Sequence, residues 1–273
     1  MSRRTIVIGD LHGMHDATVK LLDKCKVRPE DHVIFLGDLI DRGPDSGKCV
    51  DLVMHREKVQ GRTACILGNH ESRHIEYHEI EQKKGKVHVD IPTHVATRLQ
   101  LREEHYDYFK RMPKFIRLPE HNAVCVHAGV FPGRKIEEQS DRHLLHIQML
   151  EELSQPFETG RARFGEKTCW PSRTPSGGHW RFWTHFWDGP ERIIFGHSVL
   201  DKPLVTDKVV GIDGGAVFGH WLHAVILPGW EIISVPGERD YGKGYRGRPS
   251  EEETIRGNRI NKYLVHGDVS TYS

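Results

Sequence analysis

Short apolar runs alternate with helical patterns along the first half of the chain. The runs are rich in β-branched residues and have the length of strands; they lie at residues 5–8, 32–36, 64–67 and 123–126. Apolar residues recur at helical spacing after the first two runs, at Ala17, Leu21, Leu22 and Cys25 and then at Cys49, Leu52, Val53 and Met54. This alternation predicts an α/β fold with a mostly parallel sheet flanked by helices.

The second half has a different pattern, in which turns separate predicted strands at residues 192–195, 209–212, 221–227 and 231–235. A second sheet, antiparallel or mixed, is therefore expected. Insertions interrupt the core at residues 71–118 and 132–190. We expect one domain over residues 1–236, followed by a polar tail, residues 237–273, that is partly ordered at best.

Composition disfavours several function classes. The 273 residues carry 39 Lys and Arg against 38 Asp and Glu, so no chain-wide field favours a nucleic acid or a membrane as partner. Five cysteines, none in a Cys-x-x-Cys pair, argue against a disulfide scaffold and a zinc knuckle. The first apolar stretch is too short for a signal peptide, and no run reaches the ~20 residues of a membrane span, so a cytoplasmic location is expected. The oligomeric state has no signal in the sequence.

Polar motifs follow five of the predicted strands. They are Gly9-Asp10-Leu11-His12-Gly13, Gly37-Asp38-Leu39-Ile40-Asp41-Arg42-Gly43, Gly68-Asn69-His70-Glu71, His127-Ala128-Gly129 and Gly196-His197. A single motif of this kind is usually a turn former. Five at successive strand ends predict a site, because ligands in open α/β sheets bind outside the carboxyl ends of the strands. We therefore expect these side chains at one edge of a sheet.

The side chains in these motifs suit a pair of divalent metal ions. Two ions ~3.5–4 Å apart need a bridging carboxylate, oxygen ligands and neutral imidazoles. Asp10 and His12 can contact one metal, and Asp38 can bridge the two. The second site can be completed by Asn69, His127 and His197. Mixed nitrogen and oxygen ligands without thiolate favour manganese, iron or zinc; manganese is the metal we expect, and cobalt and nickel are also compatible.

The order GDxHG, GDxxDRG, GNHE, HAG and GH resembles the metallophosphoesterase superfamily, specifically its phosphoprotein phosphatase branch, over roughly residues 5–227. The resemblance implies an αββα sandwich, with two mixed β-sheets flanked by helices, for the domain at residues 1–236. It implies the same six metal ligands as the chemical argument. It also implies that His70 is the acid beside the leaving group and that Asp41 orients it. Arg42 and Asn69 are both implied to contact the substrate, and Arg42 is implied to clamp a phosphate.

The sequence indicates a second phosphate-binding arginine less specifically than it indicates Arg42. The family often carries one after a tryptophan between the HAG and GH motifs, which makes Arg173 the candidate, with Arg163 and Arg181 as alternatives. Arginine suits the position because its planar guanidinium matches phosphate. The expected reaction is in-line attack on phosphorus by a hydroxide that bridges the two metals.

The resemblance leaves the substrate open. Residues 211–222 are similar to a stretch shared by bacterial symmetrical diadenosine tetraphosphatases and bacterial or phage serine/threonine protein phosphatases, with Gly214 and His220 as departures. We expect symmetrical cleavage of diadenosine tetraphosphate to two ADP. A phosphoprotein, a nucleotide or a small phosphomonoester are the alternatives. A non-catalytic scaffold on the same fold is disfavoured by the complete ligand set.

Three features of the insertions have both a functional and a structural interpretation. An aromatic cluster could stack adenine, but the i, i+3, i+4 spacing of its last three members favours packing onto the core; the cluster is Trp170, Trp180, Trp183, Phe186 and Trp187. His74 and His78, one helical turn apart, predict a solvated helix face. The lysines of residues 83–86 predict a solvated charged loop.

Overall fold

Alternate side chains of the first strand pack into two different cores, and this determines the architecture. In the computed structural model, which describes residues 4–152, 164–169 and 179–241, Ile6 and Ile8 pack on one side and Val7 on the other. Because neighbours along a strand point to opposite faces, this sheet is covered on both sides. Helices cover one face, and a second sheet covers the other.

The first sheet combines strands from both ends of the chain. Numbered in chain order, its strands are β1 (Thr5–Ile8), β2 (His32–Phe35), β3 (Thr63–Cys65), β12 (Trp221–Leu227) and β13 (Glu231–Pro236). Their order is β13-β12-β1-β2-β3, with β1, β2 and β3 parallel and β12 antiparallel to β1. The carboxyl ends of the three parallel strands therefore lie at the same edge.

The second sheet has the order β10-β11-β9-β5-β4. Its strands are β4 (Phe115–Leu118), β5 (Ala123–Val126), β9 (Arg192–Phe195), β10 (Leu204–Val205) and β11 (Val209–Gly211). Strands β5, β9 and β11 are parallel to one another. A smaller antiparallel sheet lies in the second insertion and contains β6 (Met149–Glu152), β7 (Phe164–Cys169) and β8 (His179–Phe182).

Three hydrophobic cores hold these layers together. Val7 and Ile34 of the first sheet meet Ile194 and Val210 of the second in the central core. Within the described residues, the α-helices are α1 (His15–Lys24), α2 (Ser46–Gln60), α3 (Asn69–Lys84), α4 (Pro92–Arg98), α5 (Glu103–Arg111) and α6 (Asp141–His146). Side chains of α1, α2 and α5 form a core with the outer face of the first sheet, and side chains of α6 form one with the second. The predicted αββα sandwich is confirmed.

The assignment of strands to sheets corrects one sequence prediction. The second-half strands do not form a sheet of their own, because β12 pairs along its length with β1, from Thr5 opposite Leu227 to Ile8 opposite Ala224. Of the second-half strands that the structure describes, β9, β10 and β11 join the second sheet, where β9 lies beside β5 from the first half. Both large sheets are thus mixed.

The first insertion is shorter than predicted, and the second packs as predicted where it is described. Residues 115–118 form a strand of the second sheet, so the helical insertion ends before them. Trp183 and Trp187 are buried against the second sheet, in agreement with packing and not with exposed stacking. Arg173, Arg163 and Trp170 lie outside the described residues, as does the tail from residue 242; the domain boundary at residue 236 stays a prediction. Among the described helices, none has the length and apolar character needed to cross a bilayer.

Candidate metal centre

The five sequence motifs meet at the carboxyl ends of strands from both large sheets. Asp10, Asp38 and Asn69 follow β1, β2 and β3 of the first sheet, whereas His127 and His197 follow β5 and β9 of the second. The expectation of a single sheet edge was therefore wrong in one respect. The site lies where two facing sheets present their strand ends side by side, which lets ligands approach from both.

Backbone hydrogen bonds join the loops that carry the predicted ligands. The N–H of His12 donates to the carbonyl of Asp38 over 2.8 Å, and the N–H of Gly43 donates to the carbonyl of His12 over 3.0 Å. Five non-glycine residues of the site have positive φ, between 45° and 71°: His12, Asp38, Asp41, Arg42 and His197. This region is rarely adopted by side-chain-bearing residues and is characteristic of functional sites.

Asp38 lies between imidazoles of the two sheets. Its Oδ2 is 3.5 Å from Nε2 of His12, and its Oδ1 is 3.5 Å from Nε2 of His127. Burial opposes ionisation of Asp38, but the surrounding histidines outweigh it and hold the pKa below its ordinary value. An ionised carboxylate with one oxygen toward each of two imidazoles has the arrangement expected of a bridging ligand.

Hydrogen bonds on Nδ1 orient two histidines so that their Nε2 atoms face the centre. Nδ1–H of His12 donates to the carbonyl of Ile40, and Nδ1–H of His127 to that of Leu36, each over 2.8 Å. Such outer hydrogen bonds fix the ring and its tautomer in metal sites. Burial lowers the pKa of His12, His127 and His197, which favours the neutral form of the imidazole that binds a metal.

Asn69 and His197 complete the cluster around Asp38. The amide oxygen of Asn69 is 2.9 Å from Nε2 of His127. Ligand atoms of Asp38, His127 and His197 lie within 4.8 Å of one another, as do those of His12, Asp38 and His70. Asp10 is fixed beside them, since both its carboxylate oxygens accept the N–H of His197 over 3.0 Å.

The residues fit two divalent cations on grounds of both space and charge. A Cβ at Gly68 would collide with the carboxylate of Asp38, and one at Gly196 with that of Asp10, so glycine is required behind both carboxylates. Burial, Asp213 and Asp38 together raise the pKa of Asp10 well above its ordinary value. Crowded buried carboxylates of this kind are stabilised in the ionised form by bound cations.

His70 and Asp41 form a hydrogen-bonded pair at the side of the centre. Nδ1 of His70 is 2.6 Å from Oδ2 of Asp41, and its Nε2 is 3.9 Å from Oδ2 of Asp38. The ring therefore points its free nitrogen at the metal centre while its other nitrogen contacts a carboxylate. This is the geometry needed to deliver a proton to a leaving group, because the carboxylate orients the ring and stabilises its charged form.

Arg42 lies at the rim of the centre. Its guanidinium contacts Nε2 of His12 and packs over the ring of Phe218 at 5.6 Å from the ring centroid. The side chain is only half-buried, so the cation is accessible. A guanidinium here can bind a phosphate oxygen bidentately next to the metals.

Several residues with contacts to this centre were not identified from the sequence. Glu71 is buried and accepts backbone N–H groups from Asp38, Leu39 and Gly68, which holds two ligand loops together. Its place in the GNHE motif was the available signal. The predicted solvated face of α3 was wrong, because His74 and His78 are both buried. His74 contacts Asp41, which the polar composition of α3 concealed.

Comparisons with known proteins agree with this geometry. A family model for calcineurin-like phosphoesterases matches residues 3–224. Bis(5'-nucleosyl)-tetraphosphatase PrpE (asymmetrical) of Halalkalibacterium halodurans is 28% identical over 257 residues, covering 85% of this chain and 94% of that protein. The protein of the same name from Geobacillus thermodenitrificans is 29% identical over 240 residues, covering 84% and 93%.

Solved structures give the same answer for the fold. A crystal structure provisionally assigned as a diadenosine tetraphosphatase superposes with a TM-score of 0.67 at 28% identity, covering 87% of this chain and 95% of that one. A protein serine/threonine phosphatase from Saccharomyces cerevisiae superposes with a TM-score of 0.53 at 18% identity, covering 86% and 80%, which speaks to the fold alone. The chain is thus a metal-dependent phosphoester or phosphoanhydride hydrolase and belongs to the calcineurin-like phosphoesterase family.

Proposed function

We propose that this chain hydrolyses dinucleoside tetraphosphates such as diadenosine tetraphosphate. The observation that carries the proposal is the pair of metal-ligand groups sharing Asp38, with Arg42 beside it. This arrangement supports attack on a phosphorus atom with charge stabilisation on several sides. The names of relatives that match 84–86% of this chain support the dinucleotide substrate.

Asp10, His12, Asp38, Asn69, His127 and His197 would hold the two ions, and manganese is the metal we propose. When bound, divalent ions lower the pKa of a coordinated water from about 16 to about 7 and so provide a nucleophile at neutral pH. The outer hydrogen bonds of His12 and His127 keep both rings oriented for this role. In their neutral form, neither ring has to lose a proton before it binds a metal ion.

The remaining residues act on the phosphate chain. Arg42 binds an equatorial oxygen of the phosphate under attack, where negative charge accumulates. His70 presents Nε2 to the leaving oxygen. Asp41 accepts a hydrogen bond from Nδ1–H of His70 and so holds the ring in place. Asn69, one residue before His70, places its amide at the same phosphate.

The position of cleavage separates two forms of the proposal. The relatives named above are asymmetrical tetraphosphatases, and their names support ATP and AMP as the products. The sequence-based expectation was symmetrical cleavage, for which ADP is the sole nucleotide product. We propose asymmetrical cleavage.

The test is to incubate the manganese-loaded protein with diadenosine tetraphosphate and identify the nucleotides by chromatography. ATP and AMP in equal amounts support the proposal, whereas ADP alone restores the symmetrical prediction. A phosphoserine peptide, a nucleoside monophosphate and p-nitrophenyl phosphate, assayed in parallel, measure the alternatives. Asp38→Asn is the inactive control, and a kcat/KM for the peptide above that for the dinucleotide would refute the proposed substrate.

One observation favours the protein phosphatase alternative. An acid on the leaving-group side contributes most when the leaving group is a strong base, such as a serine alkoxide, and least for a nucleotide phosphate. The close His70–Asp41 pair is thus better explained by an ester substrate than by an anhydride. Comparison of the two kcat/KM values decides between them.

A further inference from the structure

Asp41 is surrounded by three histidines, of which His70 is only one. Oδ2 of Asp41 is 2.6 Å from Nδ1 of His70, and Oδ1 is 2.9 Å from Nε2 of His74. Nε2 of His94 lies 3.3 Å from Oδ2. His74 comes from α3, one helical turn after His70, whereas His94 comes from α4 in the first insertion. Two separate elements therefore converge on a single carboxylate.

The direction of each hydrogen bond follows from the neighbours of the rings. Nε2 of His94 faces the carboxylate of Asp41, which can only accept, so the proton of this ring is on Nε2, and Nδ1 accepts a hydrogen bond from the hydroxyl of Tyr77 over 3.2 Å. His74 contacts Asp41 through Nε2, and a carboxylate can only accept, so Nε2–H of His74 is the donor. The N–H groups of all three rings are thus directed at the carboxylate of Asp41.

The cluster is closed to solvent and tightly packed. Asp41 and His74 are fully buried, and His94 is 6% exposed. Ring centroids are 5.7 Å apart for His70 and His94 and 5.3 Å apart for His74 and His94. Burial opposes ionisation of Asp41, yet the hydrogen bonds from His70 and His74 hold its pKa well below the ordinary value. Burial also lowers the pKa of His94 to about 4, so this ring is neutral at pH 7.

We propose that His74 and His94 are positioning residues that act through Asp41 on His70, and hence on protonation of the leaving group. The inference rests on the acid role given to His70 in the proposed function. It adds that the acid is a four-residue unit and not a pair.

The physical reason is the freedom of an aspartate side chain. Rotation of a carboxylate about its last bond is soft and has no sharp staggered preference. A carboxylate held by His70 alone could turn, and Nε2 of His70 would then leave its place 3.9 Å from Asp38. Donors at both Oδ1 and Oδ2 remove this freedom, and a displacement of ~1 Å at a reacting group can lower a rate by about 100-fold.

The kinetic test compares leaving groups on variants that remove or keep the donor. His74→Leu and His94→Leu remove it, whereas His74→Gln and His94→Gln keep an N–H near the position of Nε2. Phenol has a pKa of about 10, like the tyrosine side chain, and needs a proton to leave, while nitrophenol is more acidic and needs one less. We expect each Leu variant to lose about tenfold in kcat on phenyl phosphate and less than twofold on p-nitrophenyl phosphate, with partial recovery in the Gln variants.

The matched control is another buried histidine of the same helix. His78 stacks on Tyr106 at 4.1 Å between ring centroids and pairs with Glu103 over 3.2 Å. His78→Leu should leave the ratio of the two rates as in the wild-type protein. Equal losses on both substrates in the His74 and His94 variants, or the same ratio change in His78→Leu, would indicate a structural role and overturn the proposal.

A spectroscopic readout on the metal-free protein is independent of activity. The short hydrogen bond between His70 and Asp41 should give a low-field proton resonance, which Asp41→Asn abolishes. We expect this resonance to shift in both Leu variants and to stay in place in His78→Leu. An unchanged resonance in the Leu variants overturns the proposal, even for a wild-type protein that does not cleave aryl phosphates.

Metal analysis excludes the competing explanation. Asp41, His74 and His94 also have donor atoms that a metal could bind, within 4.8 Å of one another. Two ions per chain in the wild type and in both Leu variants support positioning. A third ion that the wild-type protein binds and that both Leu variants lose would overturn the proposal. Failure of the wild-type protein to cleave diadenosine tetraphosphate, with the leaving-group pattern intact on aryl phosphates, would count against the proposed substrate and leave the four-residue unit standing.

Discussion

Gly196 lies directly behind the carboxylate of Asp10, and replacing it with alanine tests the metal centre with a single methyl group. A Cβ at this position would come closer than 3.0 Å to Oδ1 of Asp10, a separation that real Cβ atoms essentially never show. The φ of Gly196 is outside the left-handed region, so alanine brings no backbone strain. The expected effect is therefore a collision between the methyl group and one predicted ligand.

The magnitude follows from the geometry of Asp10. Both its oxygens accept the N–H of His197, so the carboxylate cannot move away without breaking these contacts. A metal site requires ligand distances within about 0.2 Å of ideal. The collision shifts Asp10 by roughly 1 Å, which should weaken metal binding by about 100-fold and kcat by a similar factor. Overpacking should reduce the free energy of unfolding by only about 1–3 kcal/mol.

Calorimetric titration of the metal-free protein with Mn²⁺ measures the affinity and stoichiometry. The matched control is Gly229→Ala, because a Cβ at Gly229 meets no atom within 4 Å. It should bind two ions as the wild type does. If Gly196→Ala also binds two ions with wild-type affinity while remaining folded, Asp10 is not a ligand and the proposed centre is wrong.

His70→Asn should lower kcat/KM by about 100-fold on a phosphoserine peptide and less than tenfold on diadenosine tetraphosphate, because the nucleotide leaving group is the weaker base; equal losses would contradict its role as acid. Burial lowers the pKa of His223 to about 4, so between pH 6.5 and 4 the unfolded chain binds a proton that the folded chain does not. His223 alone should therefore account for about 2 kcal/mol of the stability that the metal-free protein loses between pH 7 and pH 5, and His223→Gln should reduce the loss measured by urea unfolding by about that amount. Trp183→Ala should cost about 3–5 kcal/mol because the side chain is fully buried, whereas Trp221→Ala, at a 47% exposed position, should cost little in the same denaturation assay.

The sequence predicted local features of the fold better than long-range ones. The strands at residues 5–8, 123–126, 192–195 and 221–227 have the predicted bounds, because each is a short apolar run between turn signals. The pairing of β12 with β1 was not predicted, since it joins residues more than 200 positions apart. Periodicity indicates which face of a strand is buried but not which strand lies beside it.

The same limit applies to the site. The predicted ligands meet because each directly follows a strand, and strand ends of a parallel sheet lie together. His94 had no such signal, because it lies in a charged insertion, and its contact with Asp41 depends on how α4 packs. His74 was assigned to solvent from the polar character of α3, whereas the surrounding helices bury it. Residues such as His74 and His94, which contact Asp41 and are not among the predicted metal ligands, are therefore found from the structure and not from motif spacing.

Five residues of the site have a left-handed backbone, which lowers the stability of the fold at positions where the chemistry needs a side chain; they are His12, Asp38, Asp41, Arg42 and His197. Each such residue stores on the order of 1–3 kcal/mol, and five together approach the whole stability of an ordinary domain. Glycine would relieve the strain at every one of these positions and remove the functional side chain in the same step. A chain optimised only for thermal stability would therefore carry glycine there and lose its site, so raising the stability of this protein at these five turns would remove its activity.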